Sequence, residues 1–313
     1  MTLKTCERWL ELDVRGCRHA VLVRGREDAP VLLVVQQGPG FPLICEAEVL
    51  ERQLQLEGRF RVAWWDQRGT GRSVDSSDAP LTLEDLTADV KAIAEQLCAA
   101  LNTTSVSALG FSLGGTLALL AAEAGAPIDR LVLVGPDVDF SASEDFAWRF
   151  ARAEALRRGA KRALRALDTM GPPPHVTPDQ FMTRVRFVAD FGGVQLGASF
   201  LQIFLGLLWR LLRSRWYSLP QVFRALRSMA TTQARTLPAL RALNLLSRPI
   251  RVPGRVTVLQ GRLDAAAPPA LAEALISRLD AAGGKELVWL DECAHNPHFE
   301  AADRVRPLVS AAL

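Results

Sequence analysis

A serine stands among glycines where a predicted strand meets a predicted helix. The residues Gly110-Phe111-Ser112-Leu113-Gly114 fit the pattern G-x-S-x-G, in which a nucleophilic serine sits on a sharp, strained turn above a sheet. Small neighbours are needed because the strand and the helix pass close together, and the helix amino terminus offers N–H groups where negative charge develops. We therefore predict that Ser112 is a nucleophile. A glycine-rich turn with an incidental serine is the alternative.

Two of the four histidines lie late in the chain, where a base for the serine is expected. A serine hydroxyl is a weak nucleophile until a base takes its proton. His295 follows the last predicted strand and should rise at the same sheet edge as Ser112, so we predict that it is the base. His298 is expected to be a first-turn or surface residue of the final helix. His19 falls in a predicted edge hairpin, and His175 in a predicted solvated loop.

Asp264 stands between Ser112 and His295 in the chain and follows the predicted strand Val256–Gln260 through Gly261-Arg262-Leu263. A carboxylate at Asp264 can accept the imidazole N–H, fix the tautomer and stabilise the imidazolium. The order Ser112, Asp264, His295 is usual when such a serine lies on a parallel sheet. Asp137, after an earlier strand, is the rival acid, and Asp139 is a weaker one.

A glycine-proline loop follows the first predicted parallel strand. This loop, Gln36–Pro42, should lie beside the serine at the carboxyl ends of the strands. We predict that the backbone N–H groups of Gly38 and Leu113 form an oxyanion hole. A turn with no catalytic role is the alternative.

Strands and helices must alternate in the core to position these groups. Such alternation implies right-handed crossovers and a mainly parallel sheet, and strands that are apolar throughout imply helices on both faces. An antiparallel edge hairpin is expected over 8–23. The predicted strands are Val31–Val35, Phe60–Trp65, Val106–Phe111, Ile128–Val134, Val256–Gln260 and Leu287–Leu290. The predicted helices are Leu81–Leu101 (capped by Thr82 and Asp85), Leu113–Ala124, Pro269–Ala281 and Phe299–Leu313.

The middle of the chain interrupts this alternation. From Val138 to Arg248 the pattern is mostly helical, so we predict a helical cap over 138–248, inserted into a core formed by 1–137 and 249–313. The fold class is therefore α/β, a mainly parallel sheet flanked by helices with an inserted helical cap.

Composition narrows the functional class. The chain has 313 residues, 49% hydrophobic and 23% charged, and a net charge of +3 that does not suggest a nucleic-acid binder. Five cysteines without a C-x-x-C pair argue against a disulfide framework or a zinc site. Charges in Met1–Asp13 argue against a signal peptide, and the apolar run near Ala198–Trp209 is too short to span a membrane. We expect a cytoplasmic protein.

The segment Asp66–Ser73 reads DQRGTGRS and resembles the D-Q-R-G-x-G-x-S signature of the proline iminopeptidase (prolyl aminopeptidase) group of α/β-hydrolases. The resemblance covers roughly 20–136 and 250–313, and it implies the α/β-hydrolase fold. In this group Asp66 and Arg68 would brace loops under the active site.

The same resemblance implies a catalytic triad of Ser112, Asp264 and His295, with no cofactor and no metal. Two departures from the group matter. Its loop usually begins His-Gly-Gly-Pro-Gly, whereas here Gln37 adds a side chain that would crowd the acyl site or supply an amide donor. Its aminopeptidases hold the substrate amine with cap carboxylates, yet eleven arginines and no Asp or Glu stand between Asp190 and Asp264.

The apolar segment Phe200–Trp216, which ends in arginines, has three interpretations. It is a core-facing helix with a solvated basic face, the wall of an apolar pocket with an arginine for an acidic or carbonyl group, or a basic amphipathic surface that touches a membrane. The candidate substrate contacts from the sequence are Gln37, Phe111, Trp209 and Trp216.

These observations predict a serine hydrolase that cleaves an ester, amide or peptide bond through an acyl-enzyme on Ser112. An iminopeptidase-like activity and a carboxylesterase or lactone hydrolase acting on an apolar or anionic substrate are both retained. A non-hydrolytic enzyme on the same fold (acyltransferase, cyclase or lyase) is a further alternative, whereas a binding protein that has lost catalysis would usually lack a triad member. The expected partner is a small molecule or short peptide. Nucleic acid and membrane contact are not expected, and the oligomeric state is not readable.

Overall fold

The computed structural model describes residues 5–38, 40–75 and 77–313, so Pro39 of the predicted oxyanion loop lies outside the described residues. The main sheet has eight strands in the order β1-β2-β4-β3-β5-β6-β8-β10, and β7 pairs separately with β9. Strand β2 is antiparallel to β1 and β4, and the other pairs are parallel. The strands are β1 (Thr5–Val14), β2 (Cys17–Arg26), β3 (Val31–Val35), β4 (Arg61–Trp65), β5 (Val106–Phe111), β6 (Ile128–Val134), β7 (Ile250–Val252), β8 (Arg255–Gly261), β9 (Leu279–Ala281) and β10 (Lys285–Leu290).

Helices cover both faces of the sheet, as the apolar strands predicted. Alternate residues of β3 pack into two different apolar clusters: Val31, Leu33 and Val35 into one, and Leu32 and Val34 into the other. The helices are α1 (Ala47–Leu54), α2 (Leu83–Leu101), α3 (Leu113–Glu123), α4 (Phe140–Arg157), α5 (Lys161–Met170), α6 (Pro178–Asp190), α7 (Phe200–Arg213), α8 (Leu219–Arg241), α9 (Pro269–Arg278), α10 (Pro297–Glu300) and α11 (Ala302–Ala312).

Local signals in the sequence account for several element boundaries. Helix α2 begins after Thr82, whose side chain accepts from the N–H of Asp85 while the Asp85 carboxylate accepts from the N–H of Thr82, so the predicted capping box is confirmed. The predicted helix Pro269–Ala281 is wrong at its end. It stops at Arg278, because the next three residues pair with β7 as strand β9.

The signature segment Asp66–Ser73 ties three parts of the chain together. The buried Asp66 carboxylate accepts from the N–H groups of Leu43 and Ile44 at 2.8 and 2.9 Å, from the N–H of Arg72 at 2.8 Å, and from the hydroxyl of Tyr217. Burial raises the pKa of Asp66, although these hydrogen bonds favour its charged form. The carboxylate thus joins the loop after β3 to the segment before α8, which agrees with the predicted bracing role.

Arg68 joins the signature segment to helix α2. Its guanidinium donates to both carboxylate oxygens of Asp89 on α2, at 2.6 and 2.7 Å, and both residues are buried. We expect Arg68→Ala to lower the free energy of unfolding by about 3–5 kcal/mol, because it leaves a buried carboxylate unpaired. Urea unfolding followed by circular dichroism measures the change.

An exposed ion pair of similar length supplies the control. Arg152 lies 2.7 Å from Asp168, but both side chains are at least 40% exposed. We expect Arg152→Ala to change the unfolding free energy by at most about 1 kcal/mol. Equal losses in the two variants would contradict the role given to Arg68.

Helices α4 to α8 lie between β6 and β7, where the sequence predicted a cap. We propose that 138–248 act as a cap, since α4, α6, α7 and α8 all contribute side chains to the cavity above Ser112. A loop of this region also contacts the core: the carbonyls of Gly193 and Val194 accept from the N–H groups of Ala265 and Asn296 at 3.0 and 3.1 Å. Within the described residues, no helix combines the length and apolarity needed to cross a bilayer.

Candidate active site

Ser112 stands at a strained turn between β5 and α3. Its backbone angles are φ 50° and ψ −126°, a conformation that residues with a side chain rarely adopt. The glycines make the turn compact, because a Cβ at Gly110 would lie 2.5 Å from the Cα of Gly115. Ser112 is partly exposed and lines a cavity. This geometry matches the turn predicted from the motif.

His295 and Asp264 meet at the carboxyl ends of β8 and β10. The imidazole Nδ1 lies 2.8 Å from Asp264 Oδ2, and both residues are buried. The other carboxylate oxygen accepts from the N–H groups of Ala266 and Ala267, each at 2.8 Å, and Gln260 Nε2 donates to Oδ2 at 3.1 Å. With every acceptor direction occupied, the carboxylate is fixed in place and can orient the imidazole.

The pKa of His295 is the sum of opposing influences. Burial lowers it, but the charge of Asp264 and the hydrogen bond to it outweigh burial, so the pKa is raised above its ordinary value. His295 lines the same cavity as Ser112. An imidazole whose imidazolium is stabilised in this way is suited to take a proton from a hydroxyl in that cavity.

Gly135, directly after β6, lies beneath this pair and was not singled out from the sequence. A Cβ there would lie 3.1 Å from His295 Nδ1 and 3.2 Å from Asp264 Oδ2, and its φ of +55° already favours glycine. We expect Gly135→Ala to lower kcat/KM by about 10- to 100-fold, because the methyl group displaces the two side chains. Steady-state kinetics of purified variants measures the effect.

Gly159 provides a matched control for this substitution. Its φ is +63°, but a Cβ there would meet nothing within 4 Å. Gly159→Ala should therefore carry a similar backbone strain, about 1–2 kcal/mol, without loss of activity. If both variants lose activity equally, crowding of the His295–Asp264 pair is not the cause.

The rival acid, Asp137, occupies a different place in the cavity. Its Oδ1 accepts a hydrogen bond from the Ser143 hydroxyl at 2.7 Å, whereas the hydrogen bond to His295 is made by Asp264. Asp137 is partly exposed to the cavity, and burial raises its pKa to about 6. Asp139 caps α4 by accepting from the N–H of Ala142.

The two residues predicted to form the oxyanion hole both line the cavity that holds Ser112. Leu113 is the first residue of α3, so its N–H has no acceptor within the helix. Gly38 lines the cavity with a φ of +55°, and a Cβ there would contact the Phe41 ring at 3.2 Å. Gln37 and Phe111, two of the four predicted substrate contacts, also line the cavity.

The cavity has a volume of about 550 Å³ and a mostly apolar wall. Its floor is the Ser112 turn, and helices α4, α6, α7 and α8 form its walls. Apolar side chains from these helices include Phe140, Val185, Phe200, Leu207 and Met229. A cavity of this size and lining suits a small, mostly apolar ligand.

Two cavity carboxylates that could bind an ammonium group are already paired with arginines. Arg210 from α7 lies 2.8 Å from Glu46, and Arg184 from α6 makes an ion pair with Glu144. His175 is fully buried beside the second pair, 3.3 Å from Glu144, so the expected solvated position is wrong.

The other two predicted contacts lie elsewhere, whereas His298 also lines the cavity. Trp209 is 61% exposed and Trp216 is buried between Arg24 and Arg215; neither is among the described residues that line the cavity. His298 is in the first turn of α10 as expected, but it is buried against Phe111 and not at the surface.

His19 packs against Trp65 in the sheet, and the indole Nε1–H donates to its Nδ1 at 3.1 Å. Burial, the largest influence, lowers the pKa of His19 to about 4 and that of His298 to about 3. Both imidazoles are therefore neutral near pH 7, and His295 is the histidine positioned for proton transfer with a raised pKa.

Comparisons with known proteins show which family shares this fold. The family model of the alpha/beta hydrolase fold matches residues 30–302. The chain is 31% identical over 112 residues to a probable aminopeptidase of Bacillus subtilis (strain 168), 35% of each chain. It is 35% identical over 122 residues to a putative carbamate hydrolase of Variovorax paradoxus (strain S110), 39% of this chain and 40% of that one. These alignments span well under half of either relative.

Among solved structures, a proline iminopeptidase-related protein of Thermus thermophilus is similar over 98% of both chains. The TM-score is 0.61 and the sequence identity 22%, a likeness that concerns the fold. The overall fold is therefore shared along nearly the whole length of both chains.

Proposed function

Because the chain belongs to the α/β-hydrolase fold family, we propose that it is a serine hydrolase that cleaves esters of apolar acyl groups. The observation that carries the proposal is the 2.8 Å contact between His295 and Asp264 at the wall of an apolar cavity whose floor holds Ser112. The chain also resembles the proline iminopeptidase group, so peptide and amide substrates form the second candidate.

In the proposed reaction, Ser112 Oγ attacks the acyl carbonyl while His295 takes its proton. Asp264 holds the imidazole in the tautomer that accepts this proton and stabilises the resulting imidazolium. The N–H groups of Gly38 and Leu113 would bind the oxyanion. His295 then protonates the leaving alcohol, and water hydrolyses the acyl-enzyme by the same steps in reverse order.

The paired carboxylates favour an ester over a substrate with a free amine. Glu46 and Glu144 already neutralise Arg210 and Arg184, so neither offers a free negative charge to an ammonium group. Asp137 is the observation that keeps the peptidase candidate, because it faces the cavity and is bonded to a hydroxyl, not to an arginine.

A fluorophosphonate probe tests the nucleophile. We expect it to label the native protein once, and peptide mapping by mass spectrometry should place the label on Ser112. Folded protein that is not labelled, or is labelled at another residue, would refute the proposal. Product formed without oxygen from labelled water would instead favour the acyltransferase, cyclase or lyase alternative.

A substrate series distinguishes the acyl class. Each buried methylene contributes about 0.8 kcal/mol, so lengthening an acyl ester from acetyl to hexanoyl should raise kcat/KM by about 200-fold if the chain enters the cavity. Proline amides and lactones are assayed under the same conditions. Cleavage of proline amides in preference to all esters would establish the peptidase candidate.

A further inference from the structure

Helix α7 is apolar on its outer side as well as on the side that faces the cavity. Four large side chains with spacings of four, four and three residues form a stripe along it, here called the outer stripe: Leu201 (61% exposed), Leu205 (50%), Trp209 (61%) and Leu212 (49%). An exposed stripe of this kind is costly in water and commonly marks an interaction surface.

The outer stripe continues beyond α7. Helices α7 and α8 are joined by the short segment 214–218, and α8 begins with Leu219 and Phe223, which are 63% and 72% exposed. Phe204 lines the cavity and is still 36% exposed. The apolar lining of the cavity therefore reaches the protein surface on the same helix that carries the stripe.

Unpaired arginines lie around this surface, whereas Arg215 in the segment between α7 and α8 is paired with Glu7 and Glu48. Arg213, Arg224 and Arg227 are exposed, and none makes an ion pair with a described residue. The guanidinium of Arg213 lies 5.1 Å from the centre of the Trp209 ring. No Asp or Glu occurs between Asp190 and Asp264. An apolar surface that carries three exposed, unpaired arginines complements an anionic lipid layer, whereas a second copy of the same surface would bring these like charges together.

We propose that the outer stripe and the start of α8 dock on the surface of an anionic phospholipid membrane, with the arginines among the headgroups. Leucine and tryptophan enter the boundary between headgroups and acyl chains. This proposal takes up the third interpretation of Phe200–Trp216, a basic amphipathic surface that touches a membrane. Delivery of apolar acyl substrates from the membrane into the cavity rests on the proposed hydrolase function, whereas docking itself does not.

Sedimentation with lipid vesicles tests docking independently of catalysis. The full chain should sediment with phosphatidylcholine vesicles that contain phosphatidylglycerol, more weakly with phosphatidylcholine alone, and more weakly at high salt. The double variant Leu205→Gln, Trp209→Gln should bind at least about tenfold more weakly, since two buried apolar side chains are lost. Circular dichroism verifies that it is folded.

Two further variants keep the test decisive. Leu156→Gln on α4 replaces a leucine that is 53% exposed but outside the stripe, and it should bind vesicles like the native chain. The triple variant Arg213→Gln, Arg224→Gln, Arg227→Gln should lose the preference for phosphatidylglycerol. Absence of binding to anionic vesicles, or an equal loss in Leu156→Gln, would overturn the proposal. A stable dimer in solution that the double variant dissociates would also overturn it, because a second copy would then cover the stripe.

Discussion

Alanine in place of Ser112 is expected to lower kcat on the order of 10⁶-fold toward any ester that the protein hydrolyses. The substitution removes the attacking oxygen but keeps the Cβ atom. The strained φ of 50° is therefore imposed on the alanine as on the serine, and folding should change little. Single-turnover and steady-state assays with a chromogenic ester measure the rate, and urea unfolding measures stability.

A second serine in the same cavity serves as the control. Ser143 is buried in the cavity wall, and its hydroxyl donates to Asp137. Ser143→Ala should retain activity within about tenfold of the native protein, since only one hydrogen bond is removed. Comparable losses in the two variants, or residual turnover in Ser112→Ala near the native rate, would contradict a nucleophilic role for Ser112.

Asparagine in place of Asp264 is expected to lower kcat by about 10⁴-fold, the second largest effect. Asn can still accept from the N–H groups of Ala266 and Ala267 through its amide oxygen. Its amide nitrogen would then face His295 Nδ1 and Gln260 Nε2, where the native carboxylate accepts. The imidazole must present a lone pair at Nδ1, so Nε2 carries the proton and cannot accept one from Ser112.

The same variant should shift the pH profile in a defined direction. Activity requires neutral His295, so kcat/KM of the native protein should fall as the pH drops through the His295 pKa. Burial lowers that pKa, and Asp264 more than compensates and raises it. Without the carboxylate charge, burial dominates, so the acidic limb of the residual activity should move to lower pH.

Asp137→Asn is the matched control, because it changes the other carboxylate near the cavity floor. It should keep kcat within about tenfold, since Asp137 bonds to Ser143 and not to His295. A loss of about 10⁴-fold in Asp137→Asn with an active Asp264→Asn would transfer the role of the orienting acid to Asp137.

The parts of the site that lie within one strand-turn-helix unit were predictable from the sequence. The turn at Ser112 is defined by neighbours within three residues, and parallel strands bring their carboxyl ends to one edge regardless of the packing around them. Asp264 and His295 could therefore be assigned from the strands that precede them. The capping box of α2 follows the same logic, because every group that forms it lies within one helical turn.

The remaining features depend on packing between distant segments, which periodicity does not encode. The loss of activity expected for Gly135→Ala arises because β6 ends beside the two loops that follow β8 and β10 and carry Asp264 and His295. The burial of His175 depends on the ion pair of Glu144 with a helix forty residues later. Trp209 was expected at the cavity because α7 is apolar on several sides, and only the fold shows which side faces inward.

The hydrogen bonds that the Ala265 and Asn296 amides donate to Gly193 and Val194 affect the dynamics of the enzyme. They join the proposed cap to both loops that carry Asp264 and His295, so a rigid movement of the cap away from the core would have to break them. The Ala265 and Asn296 amides are therefore reporters of local opening between these segments. Protection of these two amides from hydrogen exchange should vanish together, at temperatures where the rest of the sheet is still protected.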